Sequence, residues 1–293
     1  MTSERKFRPV ILAVVAAGSV WAAGPDVQRA RDLYQKTQYQ ATINALLSSD
    51  TASAEHFELL GQAYYMNGQY KLAIDSLEKA TRADSSNAVY FDWLGKACGR
   101  RAETSNFITA LTYAGKTRDS FEKAVELDGN NLEALSDLFE YYLEAPRSLG
   151  GGMDKAQAIA ARIGRLNVAE YESKLAEIAE KQKQFPEAEQ HLRRAAELEA
   201  SHIGRSIDLA EFLAKRGRYA ESEQLLRSVE AAHPGAPRVM YARASVDIRS
   251  GHNFEEARLL LSNYLSSEIT PDDPPREDAV RLARRAIKGG GEK

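Results

Sequence analysis

The side chains that could do chemistry in this chain are spread out rather than gathered. Its five histidines, His56, His191, His202, His233 and His252, include no pair at the helical spacing with which two imidazoles hold catalytic zinc. They read as surface or packing residues. Cys98 is the only cysteine, so no intramolecular disulfide and no cysteine-built metal site can form. A lone thiol behaves as a small hydrophobe and is expected to be buried. No Gly-x-Ser-x-Gly elbow presents a nucleophilic serine. The run Gly150-Gly151-Gly152-Met153-Asp154-Lys155 lacks the Gly-x-x-x-x-Gly-Lys-Ser/Thr spacing that cradles phosphate, and no strand leads into it, so it reads as a flexible connector. Carboxylates are plentiful, but isolated Glu residues on helix faces keep a surface solvated instead of forming an acid–base pair. The chain is therefore read as non-enzymatic, with no cofactor and no metal. A formal net charge of −3 offers no broad basic surface for nucleic acid.

The element that positions these carboxylates is a repeat. Its clearest copy starts at Ala54 and is 34 residues long. Phe57, Leu60 and Tyr64 recur at intervals of three and four, one face of a first helix. Asn67-Gly68 is a turn signal, and Ala73, Leu77 and Ala80 line one face of a second helix. Small residues at Gly61 and Ala73 let the two helices approach, while Tyr64 and Leu77 fill the space between them. The pattern Phe57, Leu60, Gly61, Tyr64, Ala73, Leu77, Ala80 resembles the tetratricopeptide repeat (TPR) family.

The same frame recurs from Ala88 (Phe91, Leu94, Gly95, Thr117, Phe121, Ala124), from Leu132 (Leu135, Leu138, Tyr142, Ala156, Ala160, Ile163), and from Ala169, Ile203 and Arg238. A degenerate first copy lies near Ala23. Asp84-Ser85-Ser86-Asn87 and Asp128-Gly129-Asn130-Asn131 are turns in which Asp and Asn bond local backbone and stop a helix. The predicted fold is all-α: a right-handed TPR α-solenoid of about seven helix-turn-helix repeats over residues 23–271. Residues 272–293 supply a C-terminal capping helix and a frayed tail from Gly289. The cap is predicted to turn Val280, Ala283 and Ile287 inward and Arg276, Arg281, Arg284, Arg285 and Lys288 outward.

Ahead of the repeats, Arg5, Lys6 and Arg8 precede an apolar run from Val10 through Trp21 and the small residues Ala22, Ala23 and Gly24. That order of basic, apolar and small residues reads as a secretory signal covering residues 1–22, cleaved after Ala22. The run is too short to span a bilayer. The mature chain is expected to be periplasmic or secreted, with no stable membrane span.

Two repeats are longer than the frame. The third carries ten extra residues within Arg101–Lys116, counted from Ala88 to Thr117 against Ala54 to Ala73, and the fourth carries five within Ala145–Asp154. Phe107, Leu111, Ala114, Thr117 and Phe121 keep helical spacing, so the second helix of the third repeat is predicted to be lengthened by two or three turns. Phe107, Ile108, Leu111 and Tyr113 are then expected to stand beyond the regular core. Pro146 breaks the other insertion, whose Arg147 and Leu149 are expected to be exposed anchors of a second contact surface on the same edge.

The resemblance implies function. In TPR arrays the first helix of each repeat lines the concave side, which here brings Glu55, Glu58, Gln62, Tyr65 and Met66, then Asp92, Lys96 and Arg100, then Glu133, Ser136, Glu140 and Glu144 into a groove. Glu170, Glu177, Glu180, Glu211 and Lys215 continue it. The groove is expected to be acidic, with Lys96 and Arg100 as a basic island, and its partner a protein or peptide of basic character. The asparagines of carboxylate-clamping TPR domains are missing from the matching positions. The expectation is a monomeric adaptor; a self-associating structural component of the envelope is the alternative.

Overall fold

The computed structural model describes residues 25–50 and 52–290, so the signal segment lies outside the described residues. Seven antiparallel helix pairs follow one another: α1 (Pro25–Gln35) and α2 (Tyr39–Leu47), α3 (Ala54–Met66) and α4 (Tyr70–Ala83), α5 (Ala88–Glu103) and α6 (Phe107–Leu127), α7 (Leu132–Glu144) and α8 (Met153–Leu166), α9 (Val168–Lys181) and α10 (Phe185–Leu198), α11 (Ile203–Lys215) and α12 (Tyr219–Ala232), α13 (Pro237–Ser250) and α14 (Phe254–Ser266). A last helix, α15 (Arg276–Gly290), packs on α13 and α14. No described residue is in a strand. Each helix packs on its successor, and α1, α3, α5 and α7 also touch in series, as do α11, α13 and α15. The first helices therefore form the inner layer of a solenoid, as predicted. No helix among the described residues is long and apolar enough to cross a membrane.

Local chemistry sets these boundaries. Asp84 accepts the Ser86 amide at 2.9 Å and Asp128 that of Asn130 at 3.0 Å, which ends α4 and α6 in tight turns. Asn131 then caps α7 by accepting the Ala134 amide at 3.1 Å, and Asn167 caps α9 through Glu170 at 2.9 Å. Each cap contributes about 1 kcal/mol. Within a repeat, close approach depends on the missing side chains the sequence points to. A Cβ on Gly61 would lie 2.5 Å from Leu77 Cγ, and one on Gly95 2.5 Å from the Phe121 ring. Leu77 is fully buried and Tyr64 nearly so. Cys98 is buried too, its thiol pKa pushed up to about 12 by burial.

The two insertions are built differently. Against α3 and α4, of 13 and 14 residues, α5 has 16 and α6 has 21. The second helix gains the two turns expected of it, but the remaining extra residues lengthen the first helix, and the turn stays three residues long, residues 104–106. Asn106 caps the longer α6 through the Thr109 amide at 3.1 Å. Phe107 and Ile108 stand out at 76% and 78% exposure. Tyr113 corrects the expectation: it packs against the core of the first three repeats.

The loop at 145–152 is a fixed structure, which corrects its reading as a flexible connector. Arg147–Leu149 make a 3₁₀ turn, the Gly152 amide donates to the Tyr142 carbonyl at 2.8 Å, and Lys155 Nζ donates to the Gly150 carbonyl at 2.8 Å. The fold leaves no room for a side chain at Gly151, where a Cβ would fall 1.9 Å from the Ala145 carbonyl oxygen.

The cap turns Ala279, Leu282 and Ala286 inward and leaves Ile287 exposed, so its buried stripe lies one residue ahead of the predicted one. The small residues of this stripe let α15 lie close on α14. Arg276 reaches back to donate to the Leu265 and Ser267 carbonyls at the end of α14, the latter at 2.7 Å. The end of the chain comes round beside its own beginning. Residues 37–41, Met66 and Asn67 share a cleft of about 500 Å³ with Ile269, Thr270, Asp273, Pro275, Arg276 and Glu277. Burial, with the charge of Asp272 added, pushes the Tyr39 pKa up to about 12 there.

Candidate partner-binding cleft

Along the inner layer, cations of one first helix sit among carboxylates of its neighbours. Lys96 of α5 extends its ammonium between Asp92 at 3.0 Å, Asp137 at 3.1 Å and Glu133, with the Trp93 ring centroid 4.7 Å away. The three carboxylates lie within 4.8 Å of one another, and the positive charge they enclose is this side chain's own. Burial alone would lower the Lys96 pKa, but Asp137, Asp92 and Glu133 outweigh it and hold it raised. Burial and the nearby Asp137 push Asp92 up.

Two further cations continue the row. Lys174 meets Glu177 at 3.0 Å, Glu170 at 3.4 Å and Glu140 at 3.7 Å. Arg205 meets Glu170 at 2.6 Å, Glu199 at 3.0 Å and Ser173 Oγ at 3.1 Å. Lys174 and Arg205 more than offset the burial of Glu170 and hold its pKa down.

Beside Lys96 the longer α5 and α6 open a cleft of about 460 Å³. Gly95, Gly99, Ala114, Thr117 and Phe121 make its floor, Tyr65 and Arg100 close one side, and Glu140, Tyr141, Glu144 and Leu149 close the other. Tyr141 ties that side to the insertion: its hydroxyl lies 2.7 Å from the Leu149 carbonyl and 3.1 Å from that of Ala114. The cleft thus has an apolar, aromatic interior and a charged rim, with Arg100 on one side and Glu140 and Glu144 on the other. Such a shape receives an apolar side chain with a cation next to it.

The residues expected in the groove divide into three kinds. Tyr65, Lys96, Arg100, Glu140, Glu144 and Leu149 meet at this one cleft. Glu58, Gln62 and Asp92 are buried between helices instead of facing a partner. Gln62 Nε2 donates to Glu58, whose pKa burial pushes up to about 7. Glu55 pairs with Arg31 at 2.6 Å, Glu144 with Lys181 at 2.7 Å, and Glu133 with Lys96.

Two expectations need correction. Lys96 is no open basic island, because its side chain is 16% exposed and enclosed by three carboxylates; Arg100, 47% exposed over the Tyr70 ring and paired with Glu103, is the accessible cation. Leu149 is half-buried in the cleft wall, and of the two proposed anchors only Arg147 is exposed.

Sequence reasoning missed Asp137, Lys174 and Asp208. They occupy one position of the repeat frame in successive repeats, next to a groove position, and that recurrence of charge was a readable signal.

Models of the tetratricopeptide repeat match residues 57–87 and 179–246. No curated protein sequence matches the chain. Among solved structures, a tetratricopeptide repeat protein from Parabacteroides merdae aligns with TM-score 0.56 and 13% identity over 89% of this chain and 97% of its own. A thermophilic TPR protein of Thermus thermophilus aligns with TM-score 0.54 and 16% identity over 64% of this chain and 97% of its own. The Cut9–Hcn1 hetero-tetramer of APC/C aligns with TM-score 0.50 and 15% identity over 91% of this chain and 49% of that one. At these identities the likeness is one of fold. Proteins built of such repeats mediate protein–protein interactions; residues 57–87 and 179–246 of this chain are tetratricopeptide repeats, and the helix-pair packing carries the fold of such repeats through the rest of the described residues.

Proposed function

We propose that this protein is a non-enzymatic adaptor that works in the periplasm or outside the cell once residues 1–22 are removed. It holds a partner protein by an extended segment in the cleft of repeats two to four. The observation that carries this reading is the meeting of the groove residues Tyr65, Arg100, Glu140 and Glu144 with Leu149 of the insertion around one apolar floor. The rim carboxylates Glu140 and Glu144, 60% and 67% exposed, favour a segment in which an apolar side chain is flanked by Lys or Arg. No acid–base pair is proposed among the inner carboxylates. Those around Lys96, Lys174 and Arg205 serve the cations that join one repeat to the next.

Selection from a random peptide library on the purified protein tests the reading. Selected peptides should carry an apolar residue beside a basic one, and their binding should weaken with salt, as expected where exposed charges are screened over about 8 Å at physiological ionic strength. Ala114→Trp should fill the floor and abolish binding. Peptides that are acidic, or that bind Ala114→Trp as well as the parent, would place the site elsewhere.

A further inference from the structure

The solenoid has two edges, and they differ in charge. The turns inside repeats, residues 36–38, 67–69, 104–106, 145–152, 182–184, 216–218 and 251–253, contain Lys36, Arg147, Lys183, Arg216 and Arg218 and no Asp or Glu. The turns between repeats, residues 48–53, 84–87, 128–131, 167, 199–202, 233–236 and 267–275, contain Asp50, Asp84, Asp128, Glu199, Glu268, Asp272 and Asp273 and no Lys or Arg. Helix dipoles do not explain the separation, because every turn of either kind follows one helix end and precedes another helix start. Asp84 and Asp128 also hold their own turns, and Arg218 is paired with Glu189 and Glu221. Lys183 and Arg216 make no ion pair among the described residues, and Arg216 lies over the Phe185 ring, 4.0 Å from its centroid.

Both edges also expose apolar side chains. Leu72, Phe107, Ile108 and Leu111 lie at the basic edge; Leu47, Val89, Leu166, Val168 and Leu198 lie at the acidic edge. The chain already brings its two edges together once. The acidic turn after α14 comes round onto the turns inside repeats one and two, where the shared cleft includes Tyr39, Met66 and Ile269. That contact uses the basic edge of the first two repeats and leaves the rest of that edge, from Phe107 onward, uncovered.

We propose that the uncovered basic edge of repeats three to seven takes the acidic edge of a second copy of this chain. Copies then stack head to tail and continue the contact each chain makes with itself. Phe107 and Ile108 supply the apolar projection, received among the exposed apolar side chains of the next copy's acidic edge, while Lys183 and Arg216 face its turn carboxylates. Because the two surfaces differ, the contact does not close on itself and the product is open-ended. This departs from the monomer expected of an adaptor, and it rests on the edges and not on the peptide cleft.

Sedimentation of the purified chain over a range of concentration and salt tests the proposal. The expected result is a mass above one chain that grows with concentration and falls as salt is added. Phe107→Asp with Ile108→Asp disables the basic edge at a helix start, where acidic residues are tolerated. Leu47→Lys with Leu166→Lys and Leu198→Lys disables the acidic edge at helix ends, where basic residues are tolerated. Each variant, with its helical circular dichroism unchanged, should sediment as a single chain. An equal mixture of the two should stop at two chains, since one intact edge of each kind remains. A parent chain that stays single at low salt and high concentration overturns the proposal. So does a parent that stops at two chains, which would indicate a two-fold pair, or variants that associate as the parent does. The salt response of the parent alone decides the matter if a variant fails to fold.

Discussion

The inner faces of repeats two to four and of repeats five and six are made from the same helix pairs but filled differently. In repeats five and six the trough of about 310 Å³ is lined by Glu170, Ser173, Lys174, Glu177, Arg205, Asp208 and Glu211, and its cations bridge three successive first helices. In repeats two to four the ion cluster is confined to Lys96 and its three carboxylates, and next to it lies the larger apolar cleft. The lengths of the helices account for the difference. In repeats five and six the inner helices α7, α9 and α11 lie farther apart than α3, α5 and α7 do, and the space between them is bridged by paired side chains. Where α5 and α6 are longer, they reach past their neighbours, and the loop at 145–152 walls the space instead of filling it. Charge pairs thus hold the regular repeats together, and the lengthened repeat leaves room for a partner.

The sharpest way to break this comparison is to remove a bridging cation. Lys174→Met leaves Glu140, Glu170 and Glu177 facing one another with one cation fewer, and breaking a buried ionic network from one side costs about 3–5 kcal/mol. Thermal unfolding should register that loss while peptide binding at the cleft is retained; an unchanged melting temperature would mean the trough does not join the repeats.

Glu58 gives the next largest effect. It is 6% exposed, its Gln62 neighbour donates to it, and burial raises its pKa from 4.5 to about 7 against the pull of Arg31. A raised pKa in the folded state means that its contribution to stability is complete below the unfolded value and is lost as pH rises through about 7. The difference between pH 5 and pH 8 from this group is on the order of 3 kcal/mol. Glu58→Gln should flatten that dependence and raise stability at pH 8. Denaturant titrations at the two pH values check it, and an unaltered slope of stability against pH would show that Glu58 ionises freely in the fold.

A smaller effect is expected from Gly95→Ala, which places a methyl group 2.5 Å from the Phe121 ring on the cleft floor. The helix pair must part, at a cost of about 2 kcal/mol, and the cleft should change shape with it. Peptide affinity should therefore fall alongside the melting temperature, whereas the same loss of stability with affinity intact would detach the floor from binding.

Much of the fold was legible because its determinants are local. The Phe57–Tyr64 and Ala73–Ala80 faces, the Asn67-Gly68 turn and the Asp84 and Asp128 turns act within a few residues of themselves, and each stands where its spacing placed it. The lengthening of α6 was legible for the same reason. That of α5 was not, because the run Gly99-Arg100-Arg101-Ala102-Glu103 fits a turn as readily as a last helical turn. In α15 two stripes one residue apart were both plausible by period, and contact with α14 selected Ala279, Leu282 and Ala286. The groove was read from family positions as a row of open carboxylates, and single-residue reading cannot tell an open carboxylate from one that faces a cation of the neighbouring repeat.

By itself the sequence determined the repeat, the helix pairs, the turns, the small residues at which helices touch and the class of protein, since each follows from a period of 34 residues and from packing inside one repeat. Only the tertiary structure decided which charges are enclosed, that Tyr65, Arg100, Glu144 and Leu149 share a cleft, and that the turn after α14 comes to rest on repeats one and two. Those facts depend on the angle between successive repeats. That angle is the joint result of every contact between neighbouring repeats, and a small rotation at each step accumulates along the solenoid until its two ends meet.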